Sequence, residues 1–232
     1  MQEQDTGAGV GVHILPELVA DWRARLVREI RRKAIHLSGL SVPFCLIFLG
    51  RTITAAAIAL VLAVSLIIEA QRLQGRIRLP EVRDHEKNRV AGYIYYMAGS
   101  LLTVLVFPTM IAVTSMLFLA LGDTVSGLAG SILKNSDVRS ETAERARGLR
   151  WRVKPLPVLA TTFAACLMIG VISSRFTGLD WPVYLAGASA AALVDGVAII
   201  VRGRGLDDNF GIPVLSGAAM CVVALVLGSS LF

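Results

Sequence analysis

Seven apolar stretches, each of roughly 16 to 25 residues, alternate with short polar segments along this 232-residue chain. At 1.5 Å of rise per residue, each is about long enough to cross a hydrocarbon core of ~30 Å. The pattern excludes an ordinary soluble domain and predicts an all-α, polytopic integral membrane protein with about seven transmembrane helices. Composition agrees: 55% of residues are hydrophobic and 17% charged, with a mean hydropathy of +0.66, whereas soluble domains carry about a quarter charged residues.

The stretches run over about 34–50, 52–70, 91–107, 109–133, 156–174, 181–201 and 211–231. Residues 1–15 are rich in Gly and polar side chains and show no period that buries a face, so a disordered tail is expected there. The glycines at 7, 9 and 11 follow no strand and lack the spacing of a dinucleotide loop. Residues 16–33 read as an amphipathic interfacial helix: Pro16 suits a first turn, and Leu18, Trp22, Leu26 and Ile30 recur every four residues with arginines opposite. Residues 34–232 then form a single transmembrane domain. Cys45, Cys166 and Cys221 sit in three different apolar stretches, so neither a disulfide framework nor a cysteine metal site is expected.

Basic residues supply the orientation. Of 23 Lys and Arg, all but Arg51 and Arg175 fall in the N-terminal segment and in every second loop after it. The positive-inside rule places that side, and with it the N-terminus, in the cytoplasm. The same side holds nearly all the acidic residues, since Asp180 alone lies in an opposite loop. A multi-pass protein of the cell membrane whose chemistry faces the cytoplasm is therefore expected.

An aspartate within an apolar helix costs roughly 2.5 to 3.5 kcal/mol on insertion scales and calls for a reason. Asp123 in the fourth stretch and Asp195 in the sixth lie roughly 15 and 9 Å from the cytoplasmic ends of their stretches, counted along a helix. Gly122, Ser126 and Gly130 recur every four residues beside Asp123, and Ala188, Ala191, Ala192 and Gly196 line the sixth stretch. Small residues let helices approach closely, and they also leave room for phosphate oxygens or for a hard cation on the Asp123 carboxylate. Packing alone, with each Asp paired to an Arg or a hydroxyl, is the plainer alternative.

Further polar groups gather on the cytoplasmic side. Glu29, Arg32, Lys33 and His36 share one helical face at the mouth of the first stretch. They suit phosphate binding and proton transfer, or a basic anchor for anionic headgroups. Glu69 ends the second stretch. Asp207, Asp208 and Asn209 offer clustered oxygen ligands, or else a polar turn that caps the seventh helix with Pro213 in its first turn.

Three of these patterns, E-x-x-R-K-x-x-H at Glu29 to His36, G-D at Gly122 and Asp123, and D-D-N-x-x-I-P at Asp207 to Pro213, stand in an order that resembles the CTP-dependent polyprenol kinase family. That family includes dolichol kinase, phytol kinase and CTP-dependent diacylglycerol kinase, and the resemblance runs from about residue 29 to 225. Glu69, and Glu86 ahead of Gly92 and Tyr93, fall where its acidic positions stand. The chain departs from the family at its K-[ST]-x-E-G element. Here Lys154 is followed by Pro155, Leu156, Pro157 and Val158, so the lysine is kept and the acid lost, an erosion similar to that of archaeal members.

The resemblance implies transfer of the γ-phosphoryl group of CTP, with Mg²⁺ or another divalent cation, to the hydroxyl of a membrane isoprenoid alcohol or diacylglycerol. It implies Asp123, Lys33 and His36 as catalytic groups. Glu29, Arg32, Lys154, Gly122 and Gly130 would meet the nucleotide phosphates, with Arg150 and Arg152 assisting Lys154. Asp123, Asp195, Asp207 and Asp208 would hold the metal. The hydroxyl proton is left to His36 or one of Asp195, Asp207 and Asp208. Partners are then the lipid acceptor, CTP and the bilayer; a homodimer is an option, and no nucleic acid is expected. A phosphatidate cytidylyltransferase, which would form a CDP-lipid and release pyrophosphate, is the nearest alternative. A small ion-coupled transporter is a second, although the polar residues gather at one face instead of tracing a route through both.

Overall fold

The computed structural model describes residues 22–77, 89–133, 153–197, 200–201 and 204–229. Of the sequence expectations, the tail at 1–15, the first residues of the interfacial helix, Glu86, Arg150 and Arg152 lie outside them. The described chain is helical apart from one antiparallel two-residue ladder, Ile200–Val201 with Arg204–Gly205, and a single bridge between Val153 and Val197.

Helix α1 covers Trp22–Leu37. A 3₁₀ turn, Ser38–Leu40, leads into α2, Ser41–Phe48, so the first apolar stretch is divided between two helices joined by that turn. Gly50, at φ +78°, takes a left-handed conformation where the chain turns into α3, Gly50–Leu73. Helix α4 covers Gly92–Val106. The central span consists of α5, Thr109–Leu117, one π-helical turn, Phe118–Gly122, and α6, Asp123–Ile132. Helix α7, Leu156–Thr177, stops at Gly178 with φ +69°, the left-handed residue that commonly ends a helix. Helices α8, Trp181–Gly196, and α9, Asp208–Val226, complete the bundle.

Four of these segments, α3, α5–α6, α7 and α9, are apolar and long enough to cross a membrane. The other three apolar stretches form shorter helices. The sixth stretch in particular ends its helix at Gly196, because Val197 turns out to pair with Val153. Asp195 thus sits in the last turn of α8 and not the roughly 9 Å deep that a helix to residue 201 requires. The seventh helix starts earlier than its hydropathy suggests, at Asp208, which puts Pro213 inside the helix and not in its first turn.

The α5–α6 span is the axis of the fold, 67% buried where the other long spans are 22–39% buried. Ile111, Met116, Phe118 and Leu119 on it pack with Leu46, Tyr184, Ile212 and Met220 in one apolar core. The exposed faces of α3 and α7 carry Leu60, Ile67, Met168 and Ile172, as expected of surfaces solvated by lipid.

Helices α3 and α4 run antiparallel and are tied at both ends. Arg51 Nη2 donates to the last carbonyl region of α4, at Phe107 O, 2.7 Å away. At the other end Arg72 forms a two-pronged pair with Glu69, 2.7 Å on each side, and also donates to Arg89 O. Glu69 further accepts from Ala91 N–H and Tyr93 Oη, both at 2.7 Å, so its two oxygens are saturated in a buried site. Helix α9 crosses α4 so closely that a Cβ on Gly99 would lie 2.9 Å from Phe210 Cα and 3.0 Å from Asn209 O. Pro213 has no N–H to offer that same carbonyl.

Two stability measurements check this architecture. Glu69→Gln removes the counter-charge of buried Arg72 and is expected to cost about 3 kcal/mol in unfolding measured in detergent. Gly99→Ala meets backbone, which cannot swing aside, and is expected to cost about 1 to 3 kcal/mol by the same measurement.

Candidate functional site

The π-helical turn sets the position of Asp123. Its N–H bonds back five residues to Phe118 O, whereas a regular α-helix would direct it to Leu119 O. The Leu119 carbonyl lies instead 3.3 Å from His36 Nε2, and the Asp123 carboxylate turns toward α1. There Lys33 Nζ lies 2.5 Å from Asp123 Oδ2, and His36 Nε2 is 3.3 Å from the same oxygen. Both Lys33 and Asp123 are buried, at 3% and 6% exposure, so each charge exists there because the other does. Gly127 permits the approach, since a Cβ on it would overlap the Glu29 carboxylate and Lys33 Cε. Gly122 does the same for α7, where a Cβ would fall 2.5 Å from Cys166 Sγ.

A second pair stands beside the first. Lys154 Nζ lies 2.7 Å from Asp195 Oδ1 and 3.0 Å from Ser126 Oγ, and Ser126 donates to Asp195 Oδ2. Thr162 Oγ1 approaches the same oxygen at 3.5 Å. The backbone fixes this lysine to the end of α8, where Lys154 N–H bonds Gly196 O at 2.8 Å. Asp195 is wholly buried.

The third carboxylate comes from α9. Asp207 caps that helix, accepting from Asn209 N–H at 3.0 Å and from Asn209 Nδ2 at 2.9 Å, the conventional use of an N-cap aspartate. Asp208 is the residue brought inward. One ligand oxygen from each of Asp123, Asp195 and Asp208 lies within 4.8 Å of the others. An all-oxygen carboxylate set of this kind suits a hard divalent cation such as Mg²⁺, and the two ammonium groups are of the kind that neutralise phosphate.

The structure thus collects Lys33, His36, Asp123, Lys154, Asp195 and Asp208 from α1, α6, the 153–155 segment, α8 and α9. Gly122 and Gly130 are buried along the same span. Glu29 and Arg32 form an ion pair at the rim, Glu29 being 3.9 Å from Lys33 and Arg32 half-exposed. Glu69 is engaged in the α3–α4 clamp, and Asp207 and Asn209 in the cap. Two polar partners escaped the sequence reading. In the sequence Ser126 reads as a small residue that admits a helix or phosphate oxygens, although its place three residues after Asp123 puts it on the same helical face, and Thr162 carries no signal in a sequence of this kind.

No protein-family profile and no solved structure matches the chain. Among curated proteins it is similar to CTP-dependent diacylglycerol kinase 1 of Schizosaccharomyces pombe, 36% identical over an alignment of 233 positions, gaps included, that covers 86% of this chain and 94% of that protein. With identity sustained over nearly the whole of both chains, the protein belongs to the CTP-dependent lipid kinase family and is a phosphotransferase.

Proposed function

We propose that this chain transfers the γ-phosphoryl group of CTP to the hydroxyl of a membrane lipid, diacylglycerol or an isoprenoid alcohol, at the cytoplasmic face of a seven-span bundle. The observation that carries this reading is the convergence of three buried or half-buried carboxylates with two lysine ammoniums in a chain of this family. The relative's name points to diacylglycerol. The motifs shared with polyprenol kinases bring isoprenoid alcohols into the same class of acceptor, a lipid whose hydroxyl meets the site while its tail stays in the bilayer.

Phosphoryl transfer passes through a loose transition state, so the protein contributes mainly positioning and charge. Asp123, Asp195 and Asp208 would hold the divalent cation, which would supply charge neutralisation for the polyphosphate. Lys33 and Lys154 neutralise the phosphate oxygens, and Arg32, paired with Glu29 at the rim, is a further cation for the same anion. His36 Nε2 faces two acceptors, Asp123 Oδ2 and Leu119 O, and therefore carries the ring proton. With Nε2 so engaged, Nδ1 is the ring nitrogen that takes the proton of the lipid hydroxyl as its oxygen bonds to phosphorus and CDP departs.

The assay uses purified protein, CTP labelled at the γ-phosphate, Mg²⁺ and a panel of diacylglycerol, dolichol, geranylgeraniol and phytol. Label in the lipid is the expected result, and label in pyrophosphate would establish a CDP-lipid synthase instead. Asp123→Asn is expected to abolish turnover in a protein that still folds, and near-normal activity would remove Asp123 from the mechanism. His36→Gln is expected to lower kcat about a hundredfold with little change in the KM for CTP. Loss confined to KM would make His36 a binding group.

A further inference from the structure

We infer that Lys33 and Lys154 act as exchangeable counter-cations that keep the carboxylate cluster closed to a bare divalent ion until nucleotide phosphates draw the two ammoniums away. The inference rests on the metal and phosphate roles proposed above and concerns the order in which they are satisfied.

The geometry supplies the first reason. Each ammonium sits on a carboxylate that a metal would use, Lys33 Nζ at 2.5 Å from Asp123 Oδ2 and Lys154 Nζ at 2.7 Å from Asp195 Oδ1. The ligand oxygens span no more than 4.8 Å. A dication among them and two ammoniums bonded to them would crowd like charges into a buried space, where such repulsion is weakly screened.

Charge supplies the second. Two ammoniums and one dication each bring a charge of +2 to these carboxylates. Exchanging two lysines for one metal ion therefore leaves the net buried charge as it was. Adding the metal while both lysines stay, or withdrawing both lysines with nothing in return, changes that charge by two, which burial penalises.

Mechanics supplies the third. Neither lysine can leave by moving its backbone: α1 is seated against α6 at Gly127, and Lys154 N–H is bonded to Gly196 O. Each ammonium moves only on its own flexible four-carbon stem. An incoming triphosphate offers both of them new acceptors just as its metal claims the carboxylates. Metal and nucleotide thereby assist each other's binding by linkage, and a divalent ion alone meets lysines it must first displace.

Mn²⁺ binding to the detergent-purified full-length protein, followed by electron paramagnetic resonance without nucleotide, tests the exchange. Lys33→Met and Lys154→Met are each expected to bind Mn²⁺ about tenfold or more tightly than the unsubstituted protein, because one competitor is gone. Binding that is unchanged or weaker in both overturns the inference, and if one variant does not fold the other decides. The unsubstituted protein offers a second readout: saturating Mn²⁺ is expected to raise acylation of Lys33 and Lys154 by a soluble amine-reactive ester several-fold, mapped by mass spectrometry, and unchanged labelling overturns the exchange. Asp123→Asn and Asp195→Asn are expected to weaken Mn²⁺ binding. If they do not, the metal site and the exchange fail together, whereas an active kinase whose lysine variants bind Mn²⁺ no more tightly loses the exchange alone.

Discussion

A carboxylate in the middle of an apolar helix has to be matched by a cation, and in this protein the cation of Asp123 comes from a helix ninety residues earlier in the chain. That contact between Lys33 and Asp123 fixes much else. It seats α1 against the central span, it requires Gly127 to have no side chain, and it depends on the π-helical turn that aims the carboxylate toward α1. A polar helix early in the chain thus becomes a wall of the candidate site, and the pairing that seats it is the same one that brings Lys33, His36 and Asp123 together.

The protein treats its buried acids in two ways. Glu69 receives donors on both oxygens, from Arg72, Ala91 N–H and Tyr93, and the result is a closed clamp between neighbouring helices. The cluster of Asp123, Asp195 and Asp208 instead brings carboxylates from three helices within reach of one another, Asp123 and Asp195 each paired with a lysine. Buried ion pairs cost desolvation and are retained more readily where they do something besides stabilise. The contrast between one carboxylate saturated by its neighbours and three carboxylates brought together separates the structural acid from those suited to bind a cation, a distinction that hydropathy and spacing do not draw.

Asp123 stands out in the sequence because an ionisable group is costly in apolar surroundings, whereas Lys33 and His36 are marked there by a shared helical face and Lys154 by the resemblance alone. Asp207 and Asp208 were harder to tell apart. They are adjacent, either can cap a helix, and the choice is made by where α9 begins, which depends on its packing against α4 at Gly99. Ser126 was visible only as a small residue, since a hydroxyl that packs and a hydroxyl that bonds Asp195 and Lys154 look alike until the partner helices are in place.

Hydropathy by itself determined that the chain is a membrane protein built of helices, because the number of apolar residues in a row is a local property and the bilayer has a fixed thickness. It did not determine where those helices stop. The first stretch is split by a 3₁₀ turn, and the sixth ends at Gly196 because Val197 pairs with Val153 and Lys154 N–H takes the Gly196 carbonyl. Helix ends, the pairing of each acid with its lysine and the meeting of three aspartates were decided by tertiary structure alone. Each of them depends on which distant backbone or side chain satisfies a buried polar group, and a sequence records the group without recording its partner.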